Sequence, residues 1–264
     1  MSSPQDAVSG KSPDAIEVVQ ITDCHLGATE DFMLKGVNPQ QTLAEVLTVI
    51  SRQHRDYLMV TGDISEDASP ASYRHFAHLL QQHQLESAFC IPGNHDDPVL
   101  LRERLAAFSA AQVCVTERWV FLLLNSHREH ADDGEIPPHE LDRLTQLLAQ
   151  HRDKHAAIFL HHHVLPLQSR WIDRYILRNG AAFLQTIRSA QNVRAVIHGH
   201  VHQASQRTCQ GTEFFATPST CVQFVAGEAD QQTAGLGPGW RTFRFYDDGR
   251  IESEVHYLNV SPHG

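Results

Sequence analysis

Short, nearly unbroken apolar runs alternate with longer stretches whose apolar residues recur at helical spacing, and this rhythm holds from residue 16 to about 200. The runs IEVVQIT (16–22), DYLMVT (56–61), SAFCIP (87–92), WVFLLLN (119–125), AAIFL (156–160) and VRAVI (193–197) are short and rich in β-branched or aromatic residues, which predicts strands. Between them, NPQQTLAEVLTVISRQH (38–54), the segment from Ser69-Pro70 to about His83, and VLLRERLAAF after Asp97-Pro98 predict helices. Each opens on a capping residue followed by proline, whose missing N–H costs nothing in the first turn. Further helices are expected near 139–151 and 180–190. Beyond residue 200 the helical spacing stops, and ASQRTCQ, TEFFAT, WRTFRFY and RIESEVHYL read as short antiparallel strands with a turn at Asp248-Gly249. Strands alternating with helices predict an α/β protein. Residues 1–15, small and polar, read as a flexible tail before a single domain spanning 16–264, with the loops 126–138 and 226–239 as its mobile edges.

Composition narrows the partners. A formal net charge of −10 disfavours nucleic acid and anionic membranes, yet leaves room for a small anion held by a bound cation. The cysteines Cys24, Cys90, Cys114, Cys209 and Cys221 show no CxxC spacing, which points to reduced thiols and a reducing compartment. No apolar run approaches the roughly 20 residues of a membrane span, and the first residues lack a signal peptide's apolar core. A cytoplasmic protein is the expectation.

The chemistry lies at the strand exits. IEVVQIT runs into Asp23-Cys24-His25, DYLMVT into Gly62-Asp63, SAFCIP into Gly93-Asn94-His95-Asp96, AAIFL into His161-His162-His163, and VRAVI into His198-Gly199-His200-Val201-His202. Singly, each has a plain explanation as a polar exit, a turn or a surface ring. His54, His75, His78 and His83, in polar helix-like stretches, read as solvated rings. Five such endings are another matter, because strand C-terminal ends of α/β sheets converge on one crevice. Spacing by two at Asp23/His25 and His200/His202 places both side chains on one side of an extended segment and turns Cys24 and Val201 away. Imidazole, carboxylate and amide donors without thiolate suit Mn, Fe, Zn or Co better than Ca. They exceed the needs of one tetrahedral ion, which predicts two metals sharing a carboxylate.

In this order D-x-H, GD, GNHD, H and GHxH resemble the signature blocks of the calcineurin-like metallophosphoesterases. LHHHVLPLQSRWIDRYILRN, ATPSTCVQF and GPGWRTFRF extend the resemblance to the bacterial class III 3′,5′-cyclic AMP phosphodiesterases, over nearly all of the chain after residue 16. The resemblance implies a two-sheet β-sandwich flanked by helices, with the site at the strand C-terminal ends. It implies a first metal on Asp23, His25 and His202, a second on Asn94, His161 and His200, and Asp63 bridging them. These groups and His95 would contact the substrate, with His95 protonating the leaving group and Asp96 either orienting it or serving a helix N-terminus. His198 matches no ligand and is expected to pack behind the site; His162 and His163 are left as supporting or substrate-contacting rings. Iron and manganese are the metals implied first, with zinc or cobalt as alternatives. Val164 and Cys24 depart from the branch's common proline and hydroxyl residues.

The implied reaction is hydrolysis of 3′,5′-cyclic AMP to 5′-AMP by a hydroxide bridging the metals. Two divalent ions, Asp23, Asp63 and one hydroxide sum to about +1, which suits a cyclic diester of charge −1 better than a monoester dianion. Trp171, Asp173, Arg178 and Asn179 lie where they could reach a base or ribose, or form an ordinary surface. A broad phosphodiesterase or phosphomonoesterase on the same metals is the competing reading, and a non-catalytic scaffold a distant third. The sequence leaves monomer and homodimer both open.

Overall fold

The computed structural model describes residues 15–85, 88–108 and 112–259; residues 1–14, almost all of the expected tail, lie outside these. The first half contains β1 (Ala15–Ile21), α1 (Pro39–Ile50), β2 (Tyr57–Thr61), α2 (Pro70–Gln82), β3 (Ala88–Ile91), α3 (Pro98–Arg104), β4 (Val113–Val115) and β5 (Trp119–Leu123). Then follow α4 (Pro138–Gln150), β6 (His155–Phe159), a 3-10 turn at Ile172–Tyr175, α5 (Gly180–Ala190) and β7 (Val193–His198). The chain continues through β8 (Ser205–Cys209), β9 (Thr212–Ala216), β10 (Gly239–Tyr246) and β11 (Ile251–Tyr257). The helix caps form as expected: Asn38, Ser69 and Asp97 each accept a backbone N–H from the first turn of α1, α2 and α3.

The strands build two mixed sheets, ordered β11-β10-β1-β2-β3 and β4-β5-β6-β7-β9-β8. Neighbours β1, β2 and β3 are parallel, as are β5, β6, β7 and β9. A parallel strand covered on both faces needs apolar side chains on both, which explains the unbroken runs. Along β5, Trp119, Phe121 and Leu123 enter the layer between the sheets, while Val120 and Leu122 meet α4 and α5. In the other sheet, Val18 and Met59 enter the same layer, and Val19, Leu58 and Val60 pack under α1, α2 and α3. The order is therefore helices, sheet, sheet, helices, a sandwich flanked on both sides.

Some expectations need correction. The first helix ends at Ile50 and not near 54, and the third stops at Arg104, where Leu105 leaves helical geometry. The late strands are not simply antiparallel neighbours of one another, since β9 pairs parallel with β7 and β10 pairs with β1. Strand β4 and the turn at Ile172–Tyr175 were not foreseen. Nor is His83 a solvated ring: it lies between α1 and α2, with Thr48 Oγ1 at 3.1 Å and the Leu79 carbonyl at 2.9 Å.

Candidate metal centre

The C-terminal ends of parallel strands from both sheets meet at one edge of the sandwich. Asp23 and His25 follow β1, Asp63 follows β2, and Asn94 and His95 follow β3; His161 follows β6, and His200 and His202 follow β7. All eight predicted site residues are brought into this region. Asp23, His25, Asp63, His161, His200 and His202 are buried, whereas Asn94 and His95 are partly open, the His95 side chain by 37%. The GNHD turn is thus the side from which a solute can enter.

The backbone is bent hard at these residues. Asp23, His25, Asp63, His200 and His202 all have φ between 48° and 69°, a left-handed region that costs side-chain-bearing residues free energy and that clusters at functional sites. The segments are therefore not extended, as the spacing-by-two argument assumed. The side-chain directions agree with it nonetheless, because left-handed residues alternate with Cys24 and Val201, which are buried in apolar clusters. Gly199 lets β7 exit against β1: a Cβ there would collide with Thr22 Oγ1 and stand 2.7 Å from Asp23 Oδ2.

The partner at Nδ1 fixes the tautomer of several of these imidazoles. His202 Nδ1 donates to the Val222 carbonyl at 2.6 Å, and His25 Nδ1 faces Glu66 Oε2 at 2.6 Å. Both Nε2 atoms are then bare lone pairs, yet they face each other at 3.0 Å, beside Asp23 and Asp63 carboxylate oxygens at 3.4 and 3.7 Å. His161 repeats the pattern. Its Nδ1 donates to the Thr61 carbonyl at 2.7 Å, and its Nε2 meets Asn94 Oδ1 at 3.1 Å and Asp63 Oδ2 at 3.2 Å. The buried His200 Nε2 has no hydrogen-bond partner among the described residues. Lone pairs converging in a buried site repel unless a proton or a cation stands between them. Ligand atoms of Asp23, His25 and His202, of His25, Asp63 and His95, and of Asp23, Asp63 and His161 each lie within 4.8 Å of one another, a donor set that fits a cation.

The proton affinities carry the same message. Burial opposes charge on His161, but the Asp63 carboxylate outweighs it and lifts the ring to about 9. Burial likewise opposes ionisation of Asp63, but His161, with His95 and His25 beyond it, holds it well below the usual carboxylate range. His200 is driven well below its ordinary value by burial and by the neighbouring rings of His162, His161 and His163.

Other residues take clearer roles than the sequence allowed. Glu66, unremarked in the GDISED stretch, binds His25 and lies 3.4 Å from His95 Nδ1. Asp96 does not orient His95; its carboxylate accepts from the N–H groups of Ile64, Ser65 and Gly93 and from the Tyr73 hydroxyl, tying the GD and GNHD turns together. Nor does it cap a helix, since Asp97 does that. His95 is set by its own N–H, which donates to Asp63 Oδ1 at 2.9 Å. His198 is buried and its Nδ1 is bonded to the Gly199 carbonyl, behind the site as expected. In the stretch 171–179, Trp171 packs on Phe224, Asp173 accepts from Leu167 and Ser169 N–H groups and meets His163, and Asn179 bonds both backbone groups of Ile136. Arg178 pairs with Glu135 at 3.7 Å.

His161, His162 and His200 also present ring nitrogens within 4.8 Å of one another. His162, however, has both nitrogens engaged, Nδ1 with Ser126 Oγ at 2.8 Å and Nε2 with the Asp132 carbonyl at 3.2 Å. Its nitrogens are thus already partnered, while Asn94 Oδ1 faces His161 Nε2.

The sequence profile of the calcineurin-like phosphoesterases matches residues 16–204. The chain belongs to that family. Membership makes it a phosphoester-hydrolysing enzyme and implies divalent metal ions at the strand ends described above. Among its relatives is a protein of Escherichia coli strain K12 named 3′,5′-cyclic adenosine monophosphate phosphodiesterase CpdA, 35% identical over 92% of this chain and 90% of its own length. The protein of that name in Haemophilus influenzae is 33% identical over 91% of this chain and 89% of its own. Among solved structures, a dimetal phosphatase from Danio rerio superposes with a TM-score of 0.64 at 17% identity, covering 93% of this chain and all of that one. That likeness establishes the fold. No helix among the described residues is long and apolar enough to cross a membrane.

Proposed function

We propose that this phosphoesterase hydrolyses 3′,5′-cyclic AMP to 5′-AMP at a two-metal centre. Asp23, His25 and His202 hold one ion, Asn94, His161 and His200 the other, and Asp63 bridges them. The observation that supports the reading is that the buried Nε2 atoms of His25 and His202 face each other while Asp63 lies beside both His25 and His161. The substrate rests on the cyclic AMP phosphodiesterases to which the chain is similar over nine-tenths of its length. When bound, the metals supply Lewis acidity toward a phosphoryl oxygen and make water nucleophilic at neutral pH.

The chain's own residues do the rest. Asp23 and Asp63 are kept ionised, the His25 and His202 rings are fixed in the tautomer that frees Nε2, and His161 is fixed likewise by the Thr61 carbonyl. Water adds to phosphorus and gives up a proton to solvent, the P–O3′ bond breaks, and the 3′ oxygen takes a proton from the protein. His95 is the donor: Glu66 engages its Nδ1 side, leaving Nε2 for the leaving oxygen.

Relative turnover of cyclic AMP, bis(p-nitrophenyl) phosphate and p-nitrophenyl phosphate by the manganese-loaded enzyme tests the substrate. Cyclic AMP should lead. Comparable or faster cleavage of the monoester would replace this reading with a general phosphatase.

A further inference from the structure

The loop 126–137, most of the stretch 126–138 expected to be a mobile edge, is bonded closely to one half of the proposed metal centre. Its first residue, Ser126, bonds His162 twice: the hydroxyl faces Nδ1 at 2.8 Å and accepts the His162 N–H at 3.4 Å. Further along, the Asp132 carbonyl holds His162 Nε2 at 3.2 Å, and the Gly134 backbone lies so close to the ring that a Cβ would collide with it. The loop closes on itself through Glu135 N–H to the Ser126 carbonyl, and the Gly134 carbonyl accepts from Arg178 N–H.

His162, so gripped, packs its ring against His161 and His200, at centroid distances of 5.0 and 4.7 Å. The same loop reaches the remaining ligand of that ion. His127 Nδ1 bonds the Gly93 carbonyl at 2.9 Å, immediately before Asn94. Asn94, His161 and His200 are thus all braced, directly or through one intervening group, by the loop 126–137. Among the described residues, no hydrogen bond joins this loop directly to Asp23, His25 or His202; Glu66, Val222 and Ser219 hold these, and the His200 N–H on Asp23 links the two halves.

We infer that the loop 126–137, acting through His162 and His127, is a positioning element for the second metal. The inference rests on the two-metal reading. Groups that orient ligands change metal affinity by about 10- to 100-fold when removed, and coupling is reciprocal, so the second ion must in turn steady the loop.

Calorimetric titration of metal-stripped protein with Mn²⁺ tests this, with Asn94→Ala identifying which of the two binding steps belongs to the second site. Ser126→Ala and His127→Ala, made separately because they act at opposite contacts, should each weaken that step by about tenfold or more and the other clearly less. Amide hydrogen exchange across 126–137 in the wild type should slow on filling the second site and not the first. Equal weakening of both steps, or of neither, would overturn the inference while leaving two metals in place. A single ion per wild-type chain would remove the two-metal reading and the inference with it.

Discussion

His95 and His161 sit differently in the site, and each difference can be measured. His95 is held at Nδ1 by Glu66 and is partly open to solvent, so His95→Ala should keep its metals and lose about 10²- to 10⁴-fold in kcat. Loss of the metals along with the activity would instead make His95 a ligand. For His161, the folded metal-free value of about 9 exceeds the ordinary 6.5. Its stabilisation of the metal-free protein is therefore complete below 6.5 and disappears as pH rises through about 9. A metal takes the deprotonated ring, so uptake at pH 7.5 should release a proton. Calorimetry in two buffers of different ionisation enthalpy reads that release directly, and binding heats that do not differ would contradict it. Glu66 was invisible in the sequence because its part depends on bonding His25 and approaching His95 across a turn. The Thr61 and Val222 carbonyls were invisible for a simpler reason: backbone acceptors have no side-chain signature.

At the scale of elements, the strands and helices that carry the site were legible because physics writes them locally. Buried parallel strands demand unbroken apolar runs, and the Asn38-Pro39, Ser69-Pro70 and Asp97-Pro98 starts announce helices. What could not be read was decided by tertiary packing: the early end of α3, the three-residue β4, and the pairing of β9 beside β7. The left-handed turns at Asp23, His25, His200 and His202 also escaped, since these residue types have no turn signature strong enough to override an extended reading. Gly199 is the point where those turns meet. Gly199→Ala would drive a methyl into Thr22 and Asp23, an overpacking that costs about 1–3 kcal/mol and displaces Asp23. Urea unfolding of the metal-free variant and its manganese content should both fall. An unchanged metal content would show that the β1 and β7 exits have more room than their contacts indicate.

For the molecule as a whole, neither sheet alone could make this centre. One contributes Asp23, His25, Asp63 and Asn94, the other His161, His200 and His202, and Asp63 reaches across to His161 at 3.2 Å. The aromatic layer between the sheets, with Trp119, Phe121 and Phe245 in mutual contact, keeps the two rows of strand ends in register. The most direct test of the account is a titration of metal-stripped protein with Mn²⁺, following 5′-AMP release from cyclic AMP at each added equivalent beside Asn94→Ala. Turnover should appear only as the second equivalent binds, and Asn94→Ala should take up one ion and release no product. Full turnover with a single bound ion, or two bound ions and intact cyclic AMP, would contradict it.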